Sequence, residues 1–137
     1  MNDIKHKEQL LIDDFEALSS WEEKYDYLMA LAAELPAMDP AGKTAETLVE
    51  GCRSASWLKA ETKDGRLYFQ ADSEAPLGRG VLSLLLQILN GQTPEAIARY
   101  DFRILHAIDL EKHLSPVRRQ GLQAVVERIK RLAAENL

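Results

Sequence analysis

The chain has 137 residues, of which 46% are hydrophobic and 28% are charged, a balance typical of a folded protein. We therefore predict one domain over residues 1–137 and exclude a disordered chain. With 17 Lys and Arg against 22 Asp and Glu, the net charge of -5 offers no cationic field for phosphate backbones, so no nucleic-acid partner is expected.

No segment predicts export or membrane insertion. Residues 1–14 begin with polar and charged side chains and lack the apolar stretch of a secretory signal. The most apolar run, residues 81–89, is too short to cross a membrane and predicts a buried helix. We therefore expect a cytoplasmic protein without a membrane partner.

Two helices are predicted in the first part of the chain. Apolar residues recur at helical spacing in the first of them: Leu10, Leu11, Phe15 and Leu18. The second is predicted to begin after Ser20, because Glu23 follows three residues later at capping-box spacing, and to end at Pro36. Residues 37–43 contain proline and glycine, and they predict a loop.

A β-hairpin is predicted in the middle of the chain. Residues 57–62 and 67–71 alternate in polarity on either side of Asp64-Gly65. An Asp-Gly pair readily adopts the positive backbone dihedral angles of a tight turn. Leu48 and Val49 predict a third strand beside the hairpin.

Helices are predicted again after the hairpin. One covers residues 81–90 and is stopped by Gly91, a short one begins at Thr93-Pro94, and a last one runs from Ser115-Pro116 to about Asn136. Helices, strands and helices in this order predict an α+β fold, with a small three-stranded antiparallel sheet packed against flanking helices.

Cys52 is the single cysteine of the chain, which excludes an internal disulfide and a multi-cysteine metal site. Gly51 permits unusual backbone angles, and the polar neighbours predict a loop that leaves the thiol accessible. An adjacent cation such as Arg53 can favour the reactive thiolate by lowering the thiol pKa, but adjacency in sequence does not fix where its guanidinium points. Composition alone leaves open that Cys52 is a buried structural residue.

The segment around this cysteine, Gly51-Cys52-Arg53-Ser54-Ala55-Ser56-Trp57, resembles the Gly-Cys-Gln-Ser-x-Val-Trp motif of the SufE family, whose members accept sulfur from SufS-type cysteine desulfurases. Further segments match the family in the same order: Trp21-Glu22-Glu23-Lys24-Tyr25, Ala71-Asp72-Ser73, Arg79-Gly80-Val81-Leu82, Leu114-Ser115-Pro116-Val117-Arg118 and Gly121-Leu122. Arg53 and Ser56 depart from the motif, because glutamine and valine are usual there.

The resemblance implies a SufE/NifU-like domain in which Cys52 takes persulfide sulfur from a PLP-dependent cysteine desulfurase. It further implies that the chain stimulates that desulfurase and passes the sulfur to a SufBCD-like iron–sulfur scaffold, as a carrier rather than a stand-alone enzyme. The PLP belongs to the partner, so no cofactor or metal of the chain's own is expected. Gly51, Arg53, Asp72 and Arg118 are the supporting residues that the resemblance indicates.

Several alternatives remain open. Asp72 could instead cap a helix, and Arg118 could be a surface charge. The partner could be a CsdA-like desulfurase served by a CsdE-type acceptor, or the chain could be a non-catalytic adaptor. A cysteine hydrolase would need His106 or His113 beside Cys52. The basic residues 128–131 are interpreted as a solvated helix face.

Overall fold

A computed structural model describes residues 3–137 of the chain. Met1 and Asn2, which begin the segment where no secretory signal is predicted, lie outside the described residues. The elements in chain order are α1 (Ile4–Glu16), α2 (Trp21–Glu34), β1 (Ser56–Lys63), β2 (Arg66–Ser73), α3 (Pro76–Leu89), α4 (Pro94–Ala98), α5 (Arg103–Ala107) and α6 (Pro116–Glu135), with short 3₁₀ turns at Pro40–Gly42 and Leu110–His113. This order confirms the α+β prediction.

The first two helices follow the sequence signals closely. The Ser20 side chain caps α2 by accepting a hydrogen bond from the Glu23 backbone N–H at 3.2 Å, as the capping-box spacing predicts. The Glu23 carboxylate accepts a hydrogen bond from the Ser19 hydroxyl at 2.5 Å. Leu10, expected on the apolar stripe of α1, is 53% exposed, whereas Leu11 is buried. Adjacent helix positions point about 100° apart, so only one of this pair can face the core.

The hairpin is formed by β1 and β2, which pair in antiparallel register. Its turn has positive φ at both central residues, 53° at Asp64 and 76° at Gly65, which confirms the predicted Asp-Gly turn. Leu58, Leu67 and Phe69 are buried on one face of the hairpin. This face packs against α3, and α6 contacts β1.

The predicted three-stranded sheet is wrong, because the sheet within residues 3–137 has two strands. Leu48 pairs with Trp57 at one isolated bridge, and the Val49 N–H donates to the Ser56 carbonyl at 2.8 Å. The chain turns directly after Val49, so no ladder can continue. A two-residue apolar pattern could not distinguish a single bridge from a strand.

The buried helix α3 forms the centre of the core. It begins at Pro76, earlier than predicted, and its N-cap residue Ala75 makes no side-chain hydrogen bond, so the alternative of Asp72 as the helix cap is wrong. Gly80 permits close contact with α2, because a Cβ atom there would lie 2.5 Å from the Leu28 carbonyl oxygen. This glycine therefore allows α3 to pack closely against α2.

The last helix, α6, begins where the sequence predicts. The Ser115 hydroxyl accepts a hydrogen bond from the Arg118 backbone N–H at 3.3 Å and caps the helix. By contrast, α5 and the second 3₁₀ turn have no counterpart in the sequence prediction. They follow Phe102 and Asp109, whose φ angles are 54° and 58° and whose side chains make no cap. Among the described helices, none is long and apolar enough to cross a membrane.

Candidate functional site

Cys52 lies in a loop between Val49 and the start of β1. Gly51 adopts a φ of +96°, in the left-handed region that favours glycine, as its place in the motif predicts. A Cβ atom at Gly51 would also lie 3.2 Å from the Ala124 Cβ atom on α6. The residue before the cysteine therefore brings the backbone close to α6.

Two hydrogen bonds hold the downstream end of this loop against Glu74, the residue that follows β2. The Ala55 N–H donates to the Glu74 carboxylate at 3.1 Å, and the Glu74 N–H donates to the Ala55 carbonyl at 2.9 Å. With the Val49–Ser56 hydrogen bond, these contacts close the base of the loop. Residues 50–54, with Cys52 among them, form its tip.

The tip of the loop borders a cavity of about 690 Å³. The loop, the end of β2, the first half of α3 and the start of α6 form its walls. Apolar side chains make up much of the lining: Leu77, Val81, Leu82, Leu114, Leu122 and Val125. Polar groups come from Ser56, Ser73 and Glu74. Cys52 thus faces a largely apolar space with a few convergent polar groups, which is a common feature of binding sites.

The Cys52 thiol is half-buried, and its Sγ atom donates a hydrogen bond to the Gly121 carbonyl oxygen at 3.4 Å. Burial raises the pKa of the thiol, and the Ser56 side chain acts in the opposite direction but has the smaller effect. The thiol pKa is therefore above its ordinary value, and Arg53 is not among the groups that shift it. The direction of this pKa depends on burial and on the groups that the fold brings close to the thiol, which the neighbouring residue in the sequence does not reveal.

Arg53 and Arg118 both line the cavity, and both side chains are exposed. Arg53 follows Cys52 in the loop, whereas Arg118 lies in the first turn of α6. The fold thus brings Arg118 to the same cavity as Cys52 and Arg53, which lie far from it in the chain. Their two guanidinium groups provide positive charge beside the cavity.

Asp72 lies outside this lining. It is on β2 next to Ser73, and successive strand residues point to opposite faces, so Asp72 faces away from the cavity that Ser73 lines. Its carboxylate forms ion pairs with Lys43 at 2.7 Å and Arg79 at 3.5 Å. Burial raises the pKa of this carboxyl, but the hydrogen bond and charge of Lys43, the Ser73 N–H and Arg79 outweigh burial and hold the pKa below its usual value.

Sequence reasoning gave no role to four residues around the loop: Ser56 and Ser73 line the cavity, Gly121 lines it and accepts from Cys52, and Arg128 binds the segment before the loop. The Arg128 guanidinium, on α6, donates to the carbonyl oxygens of Glu46 at 3.2 Å and Leu48 at 2.7 Å. The interpretation of residues 128–131 as a solvated face is therefore wrong for Arg128, which holds the segment before the loop. Ser56 departs from the family motif, and Ser73 and Gly121 lie in segments that match the family, so these three carried a signal in the sequence, whereas Arg128 carried none.

The histidines are not placed as a cysteine hydrolase would require. His113 stacks on Trp21 with ring centroids 4.1 Å apart, and its Nδ1 atom is 3.1 Å from the Asp109 carbonyl oxygen. Neither His113 nor His106 lines the Cys52 cavity. In the described part of the chain, no cluster of three or more His, Cys, Asp and Glu side chains could hold a metal ion.

Comparison with known proteins assigns the chain to a family. Residues 9–133 match the SufE family, described as an Fe-S metabolism associated domain. An uncharacterized SufE-like protein of Rhizobium meliloti strain 1021 is 37% identical over 125 residues, which cover 88% of this chain and 89% of that protein. A second uncharacterized SufE-like protein, of Rhizobium etli, is 35% identical over 125 residues, covering 88% of this chain and 84% of its own length.

A solved structure agrees in fold. The solution structure of a hypothetical protein from Thermus thermophilus superposes with a TM-score of 0.79 at 23% identity, and the match covers 95% of each chain. At this identity the likeness concerns the fold. The match over residues 9–133 and the two relatives above 30% identity carry the assignment. The chain belongs to the SufE family, whose domain is associated with iron–sulfur metabolism.

Proposed function

We propose that the chain is a sulfur acceptor and carrier, with Cys52 as the residue that receives the sulfur. The observation that carries this proposal is the position of the single thiol of the chain, which lines an apolar cavity beside Arg53 and Arg118. The donor is a PLP-dependent cysteine desulfurase of the SufS-like or CsdA-like type. The sulfur then passes to a SufBCD-like scaffold in the cytoplasm, and PLP stays with the desulfurase.

The transfer step resembles thiol–disulfide exchange. The Cys52 thiolate attacks the terminal sulfur of the persulfide on the desulfurase cysteine. A new S–S bond forms on Cys52, the S–S bond of the donor breaks, and its electron pair leaves on the donor thiolate. The terminal sulfur is only transferred, so the step needs no external oxidant or reductant.

The surroundings of Cys52 suit a carried persulfide. A second cysteine could attack the persulfide and release sulfide, but the chain has one cysteine. The half-buried position of Cys52 limits access of solvent and small oxidants. Arg53 and Arg118 offer charge-assisted hydrogen bonds to an anionic sulfur or to the partner, and Gly51 supports the loop conformation. Asp72 keeps only an indirect role, through the hairpin.

The decisive experiment mixes the chain with a PLP-dependent cysteine desulfurase and free cysteine. Mass spectrometry is expected to show one added sulfur atom on Cys52, which a reductant removes. The Cys52→Ser variant should carry no added sulfur. Absence of the adduct with both a SufS-like and a CsdA-like desulfurase would reject the proposal.

The same assay separates a carrier from an adaptor. If Cys52→Ser still stimulates the desulfurase as strongly as the unmodified chain, the adaptor alternative is favoured. A carrier instead loses its stimulation with the thiol, because the persulfide stays on the desulfurase and blocks the next turnover. The faster of the two desulfurases identifies the partner type.

A further inference from the structure

One hydrogen bond connects the tip of the Cys52 loop to α6. Hydrogen bonds at its base close the loop, and residues 50–54 form the tip. Within the described part of the chain, the tip makes one local hydrogen bond, at the Ser54 carbonyl oxygen, and one to α6, from the Cys52 thiol to the Gly121 carbonyl oxygen at 3.4 Å. The attachment of the tip to α6 therefore depends on the proton of the thiol.

Few side-chain atoms support this attachment. Gly51 and Gly121 have no side chains where the tip meets the helix, and the backbone approaches closely there. A Cβ atom at Gly51 would lie 3.2 Å from the Ala124 Cβ atom, and one at Gly121 would lie 3.7 Å from the Cys52 Cα atom. Dispersion attraction grows with the number of atom pairs in contact, so two glycines contribute little of it. The hydrogen bond of the thiol therefore has a large share in holding the tip.

The arrival of sulfur removes this hydrogen-bond donor. In the thiol form, the Cys52 Sγ atom has a proton and donates it to the Gly121 carbonyl oxygen. In the persulfide, Sγ is bonded to Cβ and to the terminal sulfur, so it has no proton. The terminal sulfur lies about 2 Å beyond Sγ, so a proton on it occupies a different position. Loading therefore breaks the hydrogen bond to Gly121, and removal of the sulfur restores it.

The carbonyl cannot turn away from the loaded sulfur. Gly121 lies inside α6, where each carbonyl oxygen also accepts the hydrogen bond of the N–H four residues later. That bond fixes the direction of the carbonyl along the helix. After loading, the lone pairs of Sγ face those of the carbonyl oxygen, and neither atom has a proton to share. The loop tip, rather than the helix, must therefore adjust.

The charged groups of the cavity favour movement of the loaded sulfur toward solvent. Arg53, Glu74 and Arg118 are the charged side chains of the lining, and all three are exposed. The Glu74 carboxylate accepts a hydrogen bond from the Ala55 N–H at the base of the loop. The two guanidinium groups attract an anionic terminal sulfur once it leaves Gly121.

We propose that Gly121 is a positioning residue whose backbone carbonyl distinguishes the empty Cys52 thiol from the loaded persulfide. In the empty form the hydrogen bond holds the tip against α6, and in the loaded form the tip is released and presents its sulfur to the next acceptor. The two forms differ in their interaction with one carbonyl, and that difference shifts the population of the loop. This inference deepens the proposed function, on which it rests, by naming what directs the carrier outward after loading.

Trypsin cleavage of the Arg53–Ser54 bond measures how often the tip opens. Arg53 is exposed and directly follows Cys52, and cleavage of a folded loop requires local opening. The full chain is compared as the thiol and after treatment with inorganic polysulfide, from which the Cys52 thiolate takes one sulfur atom while a shorter polysulfide leaves. Loading should accelerate cleavage about fivefold, the effect of one hydrogen bond of ordinary strength. Dithiothreitol should restore the original rate, and equal rates for the thiol and loaded forms would overturn the proposal.

Two variants separate the hydrogen bond from the bulk of the added sulfur. Cys52→Ala removes the donor without adding an atom, whereas the hydroxyl of Cys52→Ser can still donate to Gly121. Cleavage should be at least about twofold faster in Cys52→Ala than in Cys52→Ser, because a thiol is a weak donor. Equal rates in the two variants would show that the donor does not hold the tip and would overturn the proposal.

Two controls keep the cleavage rates comparable. Synthetic peptides of residues 48–58 in each form correct for the preference of trypsin for the residue before Arg53. Cleavage after Arg66, in the hairpin, reports opening elsewhere in the fold and should be the same in every form. An equal acceleration at Arg66 would assign the effect to general unfolding and reject the role of Gly121.

The trypsin measurement is independent of the desulfurase, because polysulfide loads Cys52 chemically. If loading by polysulfide releases the tip but no desulfurase transfers sulfur to Cys52, the proposed function fails and the role of Gly121 stands. If a desulfurase loads Cys52 and the cleavage rate does not change, the function stands and the role of Gly121 is rejected.

Discussion

The Sγ atom of Cys52 lies 3.4 Å from the backbone carbonyl oxygen of Gly121, which follows it by 69 residues in the chain. Through this contact the thiol is held against α6 rather than pointing freely into solvent. It also places a glycine without a side chain next to the reactive sulfur. The same helix therefore determines both the accessibility of the thiol and the space that a second sulfur atom would occupy.

Replacing Gly121 by alanine should stabilise the fold and impair the site. Alanine in place of a glycine inside a helix contributes up to about 1 kcal/mol to the free energy of unfolding. Its Cβ atom would lie 3.5 Å from the Cys52 Sγ atom, in van der Waals contact, and would fill space beside the sulfur. We expect a higher Tm together with slower persulfide loading of Cys52.

Urea unfolding and the desulfurase assay measure the two effects of Gly121→Ala separately. Gln123→Ala, at an exposed position of the same helix, is the control for helix propensity alone. It should leave the loading rate unchanged. A Gly121→Ala variant that is more stable and loads at the original rate would show that the space beside Sγ is not needed.

Replacing Gly51 by alanine should destabilise the loop. The φ of +96° is unfavourable for a residue with a Cβ atom, at a cost of about 1–2 kcal/mol, and the new Cβ atom would lie 3.2 Å from that of Ala124. Gly65→Ala is the matched control, because Gly65 has a φ of +76° and no atom within 4 Å of its Cβ position. Urea unfolding should show a larger loss of unfolding free energy for Gly51→Ala than for Gly65→Ala. Equal losses in the two variants would argue against the contact with Ala124.

Asp72 should contribute to a pH-dependent part of the stability. Its pKa is lower in the folded protein than in the unfolded chain, so its stabilising effect is present above the unfolded pKa of about 3.9 and is lost as pH falls through the folded value. Asp72→Asn should therefore lower the urea midpoint at pH 7. It should also reduce the difference between the urea midpoints at pH 7 and pH 3.

As a control, Asp26→Asn, at an exposed aspartate on α2, should change neither the urea midpoint at pH 7 nor its difference from the midpoint at pH 3.

The Asp72→Asn variant also tests whether Asp72 assists Cys52. Since the Asp72 carboxylate contacts Lys43 and Arg79 rather than the cavity, iodoacetamide should alkylate Cys52 at the original rate. A tenfold slower reaction in a folded variant would restore Asp72 as a direct supporting residue.

Arg128 should be more important for stability than its neighbours in the basic run. Its guanidinium donates to the backbone carbonyls of Glu46 and Leu48 and ties the segment before the loop to α6. Lysine cannot reproduce this forked geometry, so Arg128→Lys should cost about 2 kcal/mol of unfolding free energy. Arg131→Lys, on the exposed side of the same helix, is the control; equal urea midpoints for the two variants would contradict this role.

Local signals predicted much of the fold. The Ser20 cap, the Asp64-Gly65 turn and the Ser115 cap depend on residues a few positions apart, and the structure confirms all three. The prediction of a third strand was wrong, because the two apolar residues before the loop are too few to distinguish one bridge from a strand. The short helix α5 begins at Phe102 without a side-chain cap, so no local pattern indicated it.

By itself, the sequence determined the fold class, the hairpin and the family, and it singled out Cys52, because periodicity, caps, turns and motifs are read along the chain. Only the tertiary structure decided what surrounds Cys52. Gly121 and Arg118 reach the cavity from α6 and the Ser56–Ser73 pair reaches it from the hairpin, whereas Asp72 does not line it. The direction of the thiol pKa also depends on burial, which exists only once α3, α6 and the hairpin have packed together.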